Sequence, residues 1–386
     1  MRRFIFVSLA LFLMVAVYVA PAQLEKNMNI VLPHADYLIS NEAEKLHQTL
    51  TIGDLHSDST LWARNLLEKS DRGHVDIPRM REGNVALQMF TSVTKSPRGQ
   101  NYAKNSAEAG DNITLLAVVQ RWPVETWSSL TARALYQAEK LHQFEFSAPE
   151  ELMIVKSGQQ VRELLRRRKA NDPIVGGLLG IEGSHALDGK LENIQVLYDA
   201  GFRMMGLQHF FDNRLGGSLH GESGVGLTDF GSQTVKQMQR IGVIVDVAHS
   251  SEQVVKDVLQ LSTAPLIVSH TGFYGNCPSD RNISDELMVS IASAGGIIGV
   301  GYWDAAVCEA TPQGIIKAIR YGIGLVGVDH VALGSDYDGS IAAPFDTSEL
   351  AVLTHEMLEA EFSIEEIRKV MGGNMMRFFE KNLPSQ

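Results

Sequence analysis

The residues of this chain that could carry chemistry stand at the ends of apolar runs. His56 and Asp58 end the run that begins at Thr51, and Glu182 directly follows the run Ile174–Ile181. Residues two apart in an extended chain point to the same face, so His56 and Asp58 can reach one metal ion together. A buried carboxylate such as Glu182 is unfavourable unless it is paired or bound to a metal. These three residues are therefore candidate metal ligands, with a solvated turn at Asp58 and a salt bridge at Glu182 as the alternatives.

Three more polar residues come just after apolar runs in the same way, and they are His249, His270 and Asp336. Nitrogen and oxygen donors without a thiolate suit zinc, with manganese and iron as alternatives. Together the candidates exceed what one zinc ion needs, and two ions that share one carboxylate are the natural arrangement for such a set. The pattern predicts a two-metal centre, provided that the fold brings these positions together.

The elements that must position these residues are eight apolar, β-rich runs that alternate with helical patterns. The predicted strands are Thr51–Asp58, Asn84–Val93, Ile174–Ile181, Phe202–Gln208, Val243–Val247, Pro265–Ser269, Gly296–Tyr302 and His330–Ser335. Most are continuously apolar, which is typical of strands buried on both faces. The predicted helices are Thr131–Phe146, Ser157–Arg168, Leu191–Ala200, Gly231–Arg240, Glu252–Gln260, Asp285–Ala294, Pro312–Val326, Ser348–Glu359 and, at the C-terminus, Ile364–Lys381.

Strands and helices that alternate eight times predict a (β/α)8 TIM-like barrel with a C-terminal helix. The residues from Lys95 to Trp127 interrupt the alternation, and we expect a loop and an added helix there. A doubly wound open sheet is the runner-up, disfavoured because no glycine-rich phosphate loop opens a helix near the first strand. In a barrel the carboxyl ends of all strands meet on one face, where active sites lie. This fold would therefore gather all the candidate ligands.

The N-terminus has the pattern of an export signal. Basic residues at positions 2 and 3 precede an unbroken apolar run over residues 4–20, and small residues flank Pro21. This predicts a signal peptide over residues 1–22, or an uncleaved membrane anchor through residues 4–20. Either one places the rest of the chain outside the cytoplasm, in the periplasm or cell envelope. We expect residues 23–50 to form a linker and a short helix, and residues 51–386 to form the barrel.

Composition and cysteine usage limit the class of protein further. The 386 residues are 45% hydrophobic with a formal net charge of -11, which excludes the basic footprint of a nucleic-acid-binding protein. The sequence leaves a homodimer open. Cys277 and Cys308 fall in the loops after the sixth and seventh predicted strands, which are neighbours in a barrel. An oxidising compartment then predicts a disulfide bond between them, with two free buried thiols as the alternative.

The order and placement of these motifs match one known family. The chain resembles the membrane (renal) dipeptidases of the amidohydrolase superfamily over roughly residues 50–380. The matching segments are Asp54–Asp58, Gly180–His185, Asp246–His249, Ser269–His270, Arg281–Asn282 and Gly334–Gly339. The resemblance implies that His56 and Asp58 bind one Zn2+ ion, that His249 and His270 bind a second, and that Glu182 bridges the two.

The resemblance also implies roles outside the ligand set. His209, after the fourth strand, would contact the reacting carbonyl, and Asp336 would transfer protons. Arg281 would hold the substrate carboxylate, with a structural salt bridge to Asp280 or Asp285 as the alternative. The implied activity is zinc-dependent hydrolysis of dipeptides, or of similar small amides, by a metal-bridging hydroxide.

Two other functions are open on the sequence alone. One is a metal-dependent deacylase or lactonase of the same superfamily, and the other is a catalytically silent envelope binding protein, against which the intact ligand set argues. We expect His185 to orient a metal ligand, and His220 and Asn213 to lie either in the pocket or on the surface. The stretch Gln208–Asn213 is shorter than in the mammalian enzymes, so the preferred substrate side chain does not follow from the resemblance.

Overall fold

Eight parallel strands form a closed barrel in the computed structural model, which describes residues 19–386. These strands, numbered β1 to β8, are Ile52–Ser57, Val85–Val93, Val175–Glu182, Phe202–Gly206, Ile244–Asp246, Ile267–Thr271, Ile297–Val300 and Val331–Leu333. Each coincides with one of the predicted runs, and every residue in them is buried. The predicted (β/α)8 barrel is confirmed.

The barrel closes through a long pairing between β2 and β3. Their register runs from Leu87 opposite Gly176 to Val93 opposite Glu182, and the remaining strands follow in the order β2-β1-β8-β7-β6-β5-β4-β3. One further strand, Leu152–Ile154, pairs with the first residues of β3 before β4 takes over that edge. This strand was not predicted from the sequence. The end of β3 that carries Glu182 is therefore held by neighbours on both sides.

Helices surround the barrel between successive strands. The longer ones are Leu130–Ser147, Gly158–Lys169, Glu192–Asp199, Asp229–Ile241, Glu252–Leu261, Asp285–Ser293, Pro312–Val326 and Ala351–Glu359. Each corresponds to a predicted helix, within a few residues at its ends. Shorter helical pieces are Ile77–Glu82, Asp304–Val307 and the single turns Ser59–Leu61, Val124–Trp127, Ser184–Leu187, Val328–His330 and Thr347–Glu349. Ser or Thr caps several of the N-termini, as at Ser157, whose hydroxyl accepts from the amide of Gln160.

The predicted C-terminal helix is present, and the structure adds an interruption within it. It consists of Ile364–Arg368, a wide turn over Lys369–Gly373, and Asn374–Asn382. A side chain at Gly372 would lie 2.0 Å from the carbonyl oxygen of Thr51, so the chain deviates where it passes under β1. The last segment then packs Met375 and Phe379 into the core inside the barrel. A contact distant in sequence imposes this break, which local pattern could not reveal.

The N-terminal part of the described chain packs against the barrel. Residues 19–28 are helical, and Ile30–Val31 pairs with Ala342–Ala343 beyond β8. A second helix, Asn41–Gln48, is the short helix expected before β1. The apolar run at residues 4–20 lies almost wholly outside the described residues. Within residues 19–386, no helix combines the length and apolar character needed to span a bilayer.

The interruption after β2 contains an added helix, as predicted. It spans Asn112–Val119 and begins at Asp111, whose carboxylate accepts from the amides of Ile113 and Thr114. Arg133 on a barrel helix pairs with Asp111 at 2.5 Å. The insertion is therefore tied to the barrel at the start of its helix.

Cys277 and Cys308 form a disulfide bond, which confirms the predicted pairing. Their Cα atoms are 5.4 Å apart, and the bond joins the loops that follow β6 and β7. The Asn282 side chain adds a second connection between these loops, because its amide donates to the carbonyls of Cys277 and Ala306 at 2.9 Å each. The loop that carries Arg281 is fixed by a covalent bond and by hydrogen bonds.

Replacing both cysteines by Ala should lower the free energy of unfolding by about 3–4 kcal/mol in the loop-entropy account of disulfides. Urea denaturation of the oxidised native protein and of the double variant would measure the difference. A loss below about 1 kcal/mol would show that the hydrogen bonds of Asn282 alone hold the two loops.

Candidate metal centre

All the candidate ligands meet at the carboxyl end of the barrel. His56 lies in β1 and His270 in β6, and Glu182 is the last residue of β3. Asp58, His209, His249 and Asp336 follow β1, β4, β5 and β8 respectively. All seven side chains are buried, and most of them line one cavity of about 430 Å³. The fold thus brings together every residue that the sequence singled out for the centre.

The Glu182 carboxylate lies at the middle of this group. Its Oε1 atom is 3.1 Å from His249 Nε2, 3.4 Å from His270 Nε2 and 3.6 Å from His56 Nε2. Its Oε2 atom is 3.2 Å from His209 Nε2. The chain turns away immediately after it at Gly183, with φ of 88°, a conformation that favours glycine. This carboxylate is positioned to be shared between two sets of imidazoles.

The donor atoms close to Glu182 include both sets implied by the resemblance. His56, Asp58 and Glu182 offer donors within 4.8 Å of one another, which is the first set. In the second set the Nε2 atoms of His249 and His270 are 3.0 Å apart. Donors of this kind and spacing can hold divalent ions.

His209 and Asp336, which the resemblance places outside the ligand set, also lie within ligating range. His209 groups with Glu182 and His249, and Asp336 groups with His56 and His270. The Asp336 carboxylate is 3.9 Å from His56 Nε2. Asp338, two residues later, points away and pairs with Arg64 behind the site. Of these two aspartates, only Asp336 reaches the centre.

A serine that the sequence analysis did not single out orients two of the histidines. The Ser269 hydroxyl lies 3.0 Å from His56 Nδ1 and 2.9 Å from His270 Nδ1, and it donates to Asp246 Oδ2 at 2.7 Å. Because its proton goes to Asp246, its oxygen accepts from both rings. Each imidazole is then protonated at Nδ1 and presents the Nε2 lone pair to the centre. One hydroxyl therefore sets the tautomer of a histidine in each donor set.

Two buried aspartates fix the strand ends that carry the ligands. Asp246 accepts from the amides of Ala248 and Ser269 at 3.1 and 3.0 Å. Asp54 accepts from the amide of His56 at 2.9 Å and from that of Ser335. Asp54 and Asp246 lie two and three residues before His56 and His249 respectively, so each strand end carries its own hydrogen-bond acceptor beside the ligand. These contacts hold β1 against β8, and β5 against β6.

The electrostatics of the centre fit a bound cation. Burial raises the pKa of Glu182 and of Asp336 well above the usual range. Burial also lowers the pKa of His209 to about 4 and holds those of His249 and His270 well below their ordinary value. The imidazoles of His209, His249 and His270 are therefore neutral, whereas Asp58 outweighs the effect of burial and raises the pKa of His56. A bound cation would favour the ionised form of the buried carboxyl groups. The buried Nε2 of His56 has no hydrogen-bond partner among the described residues, so its nitrogen is available to a ligand at the centre.

Arg281 brings a buried positive charge to the edge of the cavity. It is 1% exposed, and its Nη1 and Nη2 atoms donate to the carbonyls of Ala248 and His270 at 2.9 and 2.6 Å. Within residues 19–386 it forms no ion pair, so the alternative of a salt bridge with Asp280 or Asp285 is not realised. Because the guanidinium is fixed and lacks a carboxylate partner, it can accept an anionic group of a ligand.

Other histidine predictions had mixed outcomes. The expectation that His185 orients a metal ligand was wrong, since neither ring nitrogen has a hydrogen-bond partner within residues 19–386 and the ring packs against Phe211. His220 is buried rather than on the surface, and its Nδ1 is 2.8 Å from the carbonyl oxygen of Tyr102. Asn213 donates to Leu207 and supports a turn. Trp62 and Tyr102 also line the cavity, and no spacing pattern in the sequence distinguished them.

Replacing Ser269 by Ala should weaken metal binding by about 10–100-fold, because both imidazoles lose the partner that fixes their tautomer. Chelator competition would measure the affinity, and the urea midpoint would show whether the fold is kept. Ser290→Ala, on an outer helix, is the matched control. An affinity equal to that of the native protein would remove Ser269 from the centre.

The comparisons with known proteins agree with this fold. The sequence pattern of the membrane dipeptidase family, peptidase family M19, matches residues 40–384. A solved dipeptidase of family M19, described as a metallo peptidase, is 24% identical, with a TM-score of 0.70 over 87% of this chain and 99% of that one.

Two other solved structures show the same fold. A metallo peptidase from Rhodobacter sphaeroides, liganded with a phosphinate mimic of the dipeptide L-Ala-D-Ala, is 24% identical with a TM-score of 0.70 over 86% of this chain and 99% of that one. An amidohydrolase from Pseudomonas aeruginosa is 20% identical with a TM-score of 0.70 over 88% and 99%. The chain belongs to the membrane dipeptidase family and is a metallo-dipeptidase, which acts on small peptides in a metal-dependent hydrolysis.

Proposed function

We propose that this metallo-dipeptidase works with two zinc ions that share the Glu182 carboxylate. His56 and Asp58 complete the first site, and His249 and His270 complete the second. The observation that carries the proposal is the position of Glu182, whose Oε1 atom lies within 3.6 Å of imidazole nitrogens from both sets. A buried carboxylate surrounded by neutral imidazoles is unfavourable without a cation between them.

Nitrogen and carboxylate donors in a buried site suit zinc. When bound, such ions would supply a water of lowered pKa as the nucleophile at neutral pH and a Lewis acid for the peptide carbonyl. The chain itself must then place the substrate, move protons and stabilise the charge that develops on the carbonyl oxygen.

Asp336 is the proposed proton carrier. Its carboxyl group lines the cavity 3.9 Å from His56 Nε2, so in its ionised form it can accept a proton from the attacking water. It then delivers this proton to the nitrogen of the leaving amine. The peptide C–N bond breaks, and the products are an acid and a free amine.

His209 is the proposed contact of the reacting carbonyl. Its Nδ1 atom is 3.2 Å from the carbonyl oxygen of Lys95, which fixes the ring and turns Nε2 toward Glu182. With the Nδ1 proton given to Lys95, the neutral ring has only a lone pair on Nε2. Burial lowers the pKa of His209 to about 4, so a hydrogen bond from Nε2 to an oxyanion requires that the charge developing on the carbonyl oxygen stabilise the imidazolium.

Arg281 is the proposed binding residue for the substrate carboxylate. Its side chain is held by two backbone carbonyls, so its remaining N–H groups are fixed in direction. A guanidinium fixed near the centre can bind the substrate carboxylate only when the free C-terminus lies at a set distance from the scissile bond. This restricts hydrolysis to short peptides, and it distinguishes a dipeptidase from a deacylase or lactonase of the same superfamily.

We also propose that the chain is exported to the periplasm or cell envelope, with residues 1–22 as a signal peptide or residues 4–20 as an anchor. The disulfide between Cys277 and Cys308 supports an oxidising compartment. N-terminal sequencing of protein recovered from the envelope would separate cleavage from retention. A homodimer stays a prediction, which sedimentation would test.

The native protein should contain two zinc ions per chain, on the count of donors about Glu182. Glu182→Gln should lose at least one ion and nearly all activity. Asp336→Asn is the contrasting variant, which should keep both ions and lose about 10²–10⁴-fold in kcat. Metal analysis with dipeptide kinetics decides the matter. A single tightly held ion that survives Glu182→Gln would contradict the two-metal centre, and metal loss in Asp336→Asn would make Asp336 a ligand.

Arg281→Ala should raise KM for dipeptides by about 10–100-fold, because a charge-assisted hydrogen-bond pair to the substrate is lost. Arg281→Lys should reverse only part of this rise in KM, since lysine cannot form the bidentate contact. The native enzyme should act poorly on a dipeptide with an amidated C-terminus. Equal rates on the amide and the free acid would rule out the carboxylate grip.

A further inference from the structure

The cavity has a second, apolar half that the proposed chemistry does not use. Beyond the ligands and Arg281, most of its lining consists of apolar side chains from four parts of the chain, with Ser96, Gln100, Asn112 and Ser340 as the polar exceptions. These apolar residues, called the apolar wall here, are Leu24, Met28, Leu61, Trp62, Val93, Ile113, Leu115, Leu116, Val119 and Ile341. The wall is continuous with the metal centre, because Asp58, Glu182 and Asp336 line the same cavity.

The wall is built on a firm base. Leu61, Trp62, Ile113 and Leu116 belong to a small core of their own, separate from the two cores of the barrel. Trp62 donates its indole N–H to the carbonyl of Asp338 at 2.7 Å, and Gln120 donates to the carbonyl of Leu61 at 3.0 Å. The helix Asn112–Val119 is thereby attached to the loop that follows β1.

The N-terminal helix at residues 19–28 supplies the outer edge of the wall. Its Glu25 is 1% exposed and pairs with Arg64 and Arg72 at 2.5 and 2.8 Å. Just beyond the helix, the side chain of Asn29 accepts from the amide of Ser340 at 2.9 Å. These contacts hold Leu24 and Met28 over the loop that carries Asp336.

Three side chains of the wall are incompletely covered, although most of the others are buried. Leu115 is 62% exposed, and Leu24 and Met28 are 38% exposed each. Six of the eight residues in Asn112–Val119 are apolar, and a helix of that kind is ordinarily buried. Contiguous exposed apolar surface beside a catalytic centre marks a place where a ligand binds.

The topology decides which end of the substrate meets the wall. Arg281 comes from the loop after β6, whereas the wall comes from the loops after β8, β1 and β2 and from the N-terminal helix. In an eight-stranded barrel β2 lies across the barrel axis from β6. A dipeptide whose carboxylate binds Arg281 therefore extends across the metal centre, and its N-terminal residue reaches the wall.

We infer that the apolar wall is the specificity site for the N-terminal residue, and that the preferred substrates are dipeptides with a large apolar side chain at that position, such as Leu, Met or Phe. This inference rests on the proposed function for the orientation of the substrate. It assigns Leu24, Met28 and Leu115 as specificity-determining residues.

The test compares two dipeptide series on the zinc-loaded full chain. In the series Gly-Ala, Leu-Ala and Phe-Ala, kcat/KM should rise by about 10-fold or more from Gly to Phe, which is the discrimination that apolar pockets give. In the series Ala-Gly, Ala-Leu and Ala-Phe the change should be smaller. A flat first series, or a larger effect in the second, would overturn the inference.

Leu115→Asp should lower the ratio of kcat/KM for Phe-Ala over Gly-Ala by about 10-fold, because it places a charge in the wall. Leu115 is exposed, so this change is compatible with folding. The matched control is Leu38→Asp, at an 88% exposed leucine outside the cavity, which should leave the ratio unchanged. If Leu115→Asp also leaves it unchanged, the wall does not set specificity.

Binding provides a readout independent of turnover. Calorimetry with reduced-amide analogues of Phe-Ala and Gly-Ala should show tighter binding and a more negative heat-capacity change for the Phe analogue. If the native protein hydrolyses no dipeptide, the proposed function fails, and the analogues still test the wall. Equal binding of both analogues overturns the inference. A second outcome would also overturn it. If Leu115→Asp lost binding to phosphatidylcholine vesicles but kept the substrate selectivity of the native protein, the wall would be assigned to contact with a membrane surface.

Discussion

The burial of the Glu182 carboxylate at the mouth of the barrel is the constraint on which the rest of the centre depends. A carboxylate removed from water requires compensating charge or hydrogen bonds, and its nearest partners are imidazoles that burial keeps neutral. The strand that delivers it, β3, is paired along both edges, so the side chain cannot withdraw into solvent. The proposed cation between these groups would supply that compensation.

The two donor sets are linked by shared hydrogen bonds. The hydroxyl of Ser269 contacts a ring nitrogen of His56 and one of His270, and Asp246 holds that hydroxyl in place. A displacement of β6 would therefore disturb ligands on both sides of Glu182 at once. Such coupling keeps the distance between the two proposed ions constant, which a shared nucleophile requires. The strands fix the positions of the donor residues, and the hydrogen bonds of Ser269 and Asp246 fix the orientation of the imidazole rings.

The loops that form the rim of the barrel contribute different side chains from the strand ends at its mouth. The disulfide and Asn282 fix the loop that carries Arg281, while the N-terminal helix and the insertion after β2 form the opposite rim with apolar side chains. Loops can change without affecting the strand ends, so a family can keep one chemistry and vary its substrates. In this chain, residues before the barrel itself contribute to that rim. The buried Glu25, held by Arg64 and Arg72, makes this segment part of the enzyme's structure.

The sequence by itself determined the eight strands and the residues at their ends. A parallel strand buried on both faces is a continuous apolar run, and a polar residue that ends such a run must lie at the barrel mouth. Tertiary structure alone decided the rest. Asp336 and Asp338 share the same left-handed backbone conformation, yet contacts with Arg64, Ser59 and the amide of His74 turn the Asp338 carboxylate away from the centre. The roles of Ser269 and of the N-terminal helix, and the break at Gly372, likewise arise from contacts between segments far apart in the chain, which local periodicity cannot encode.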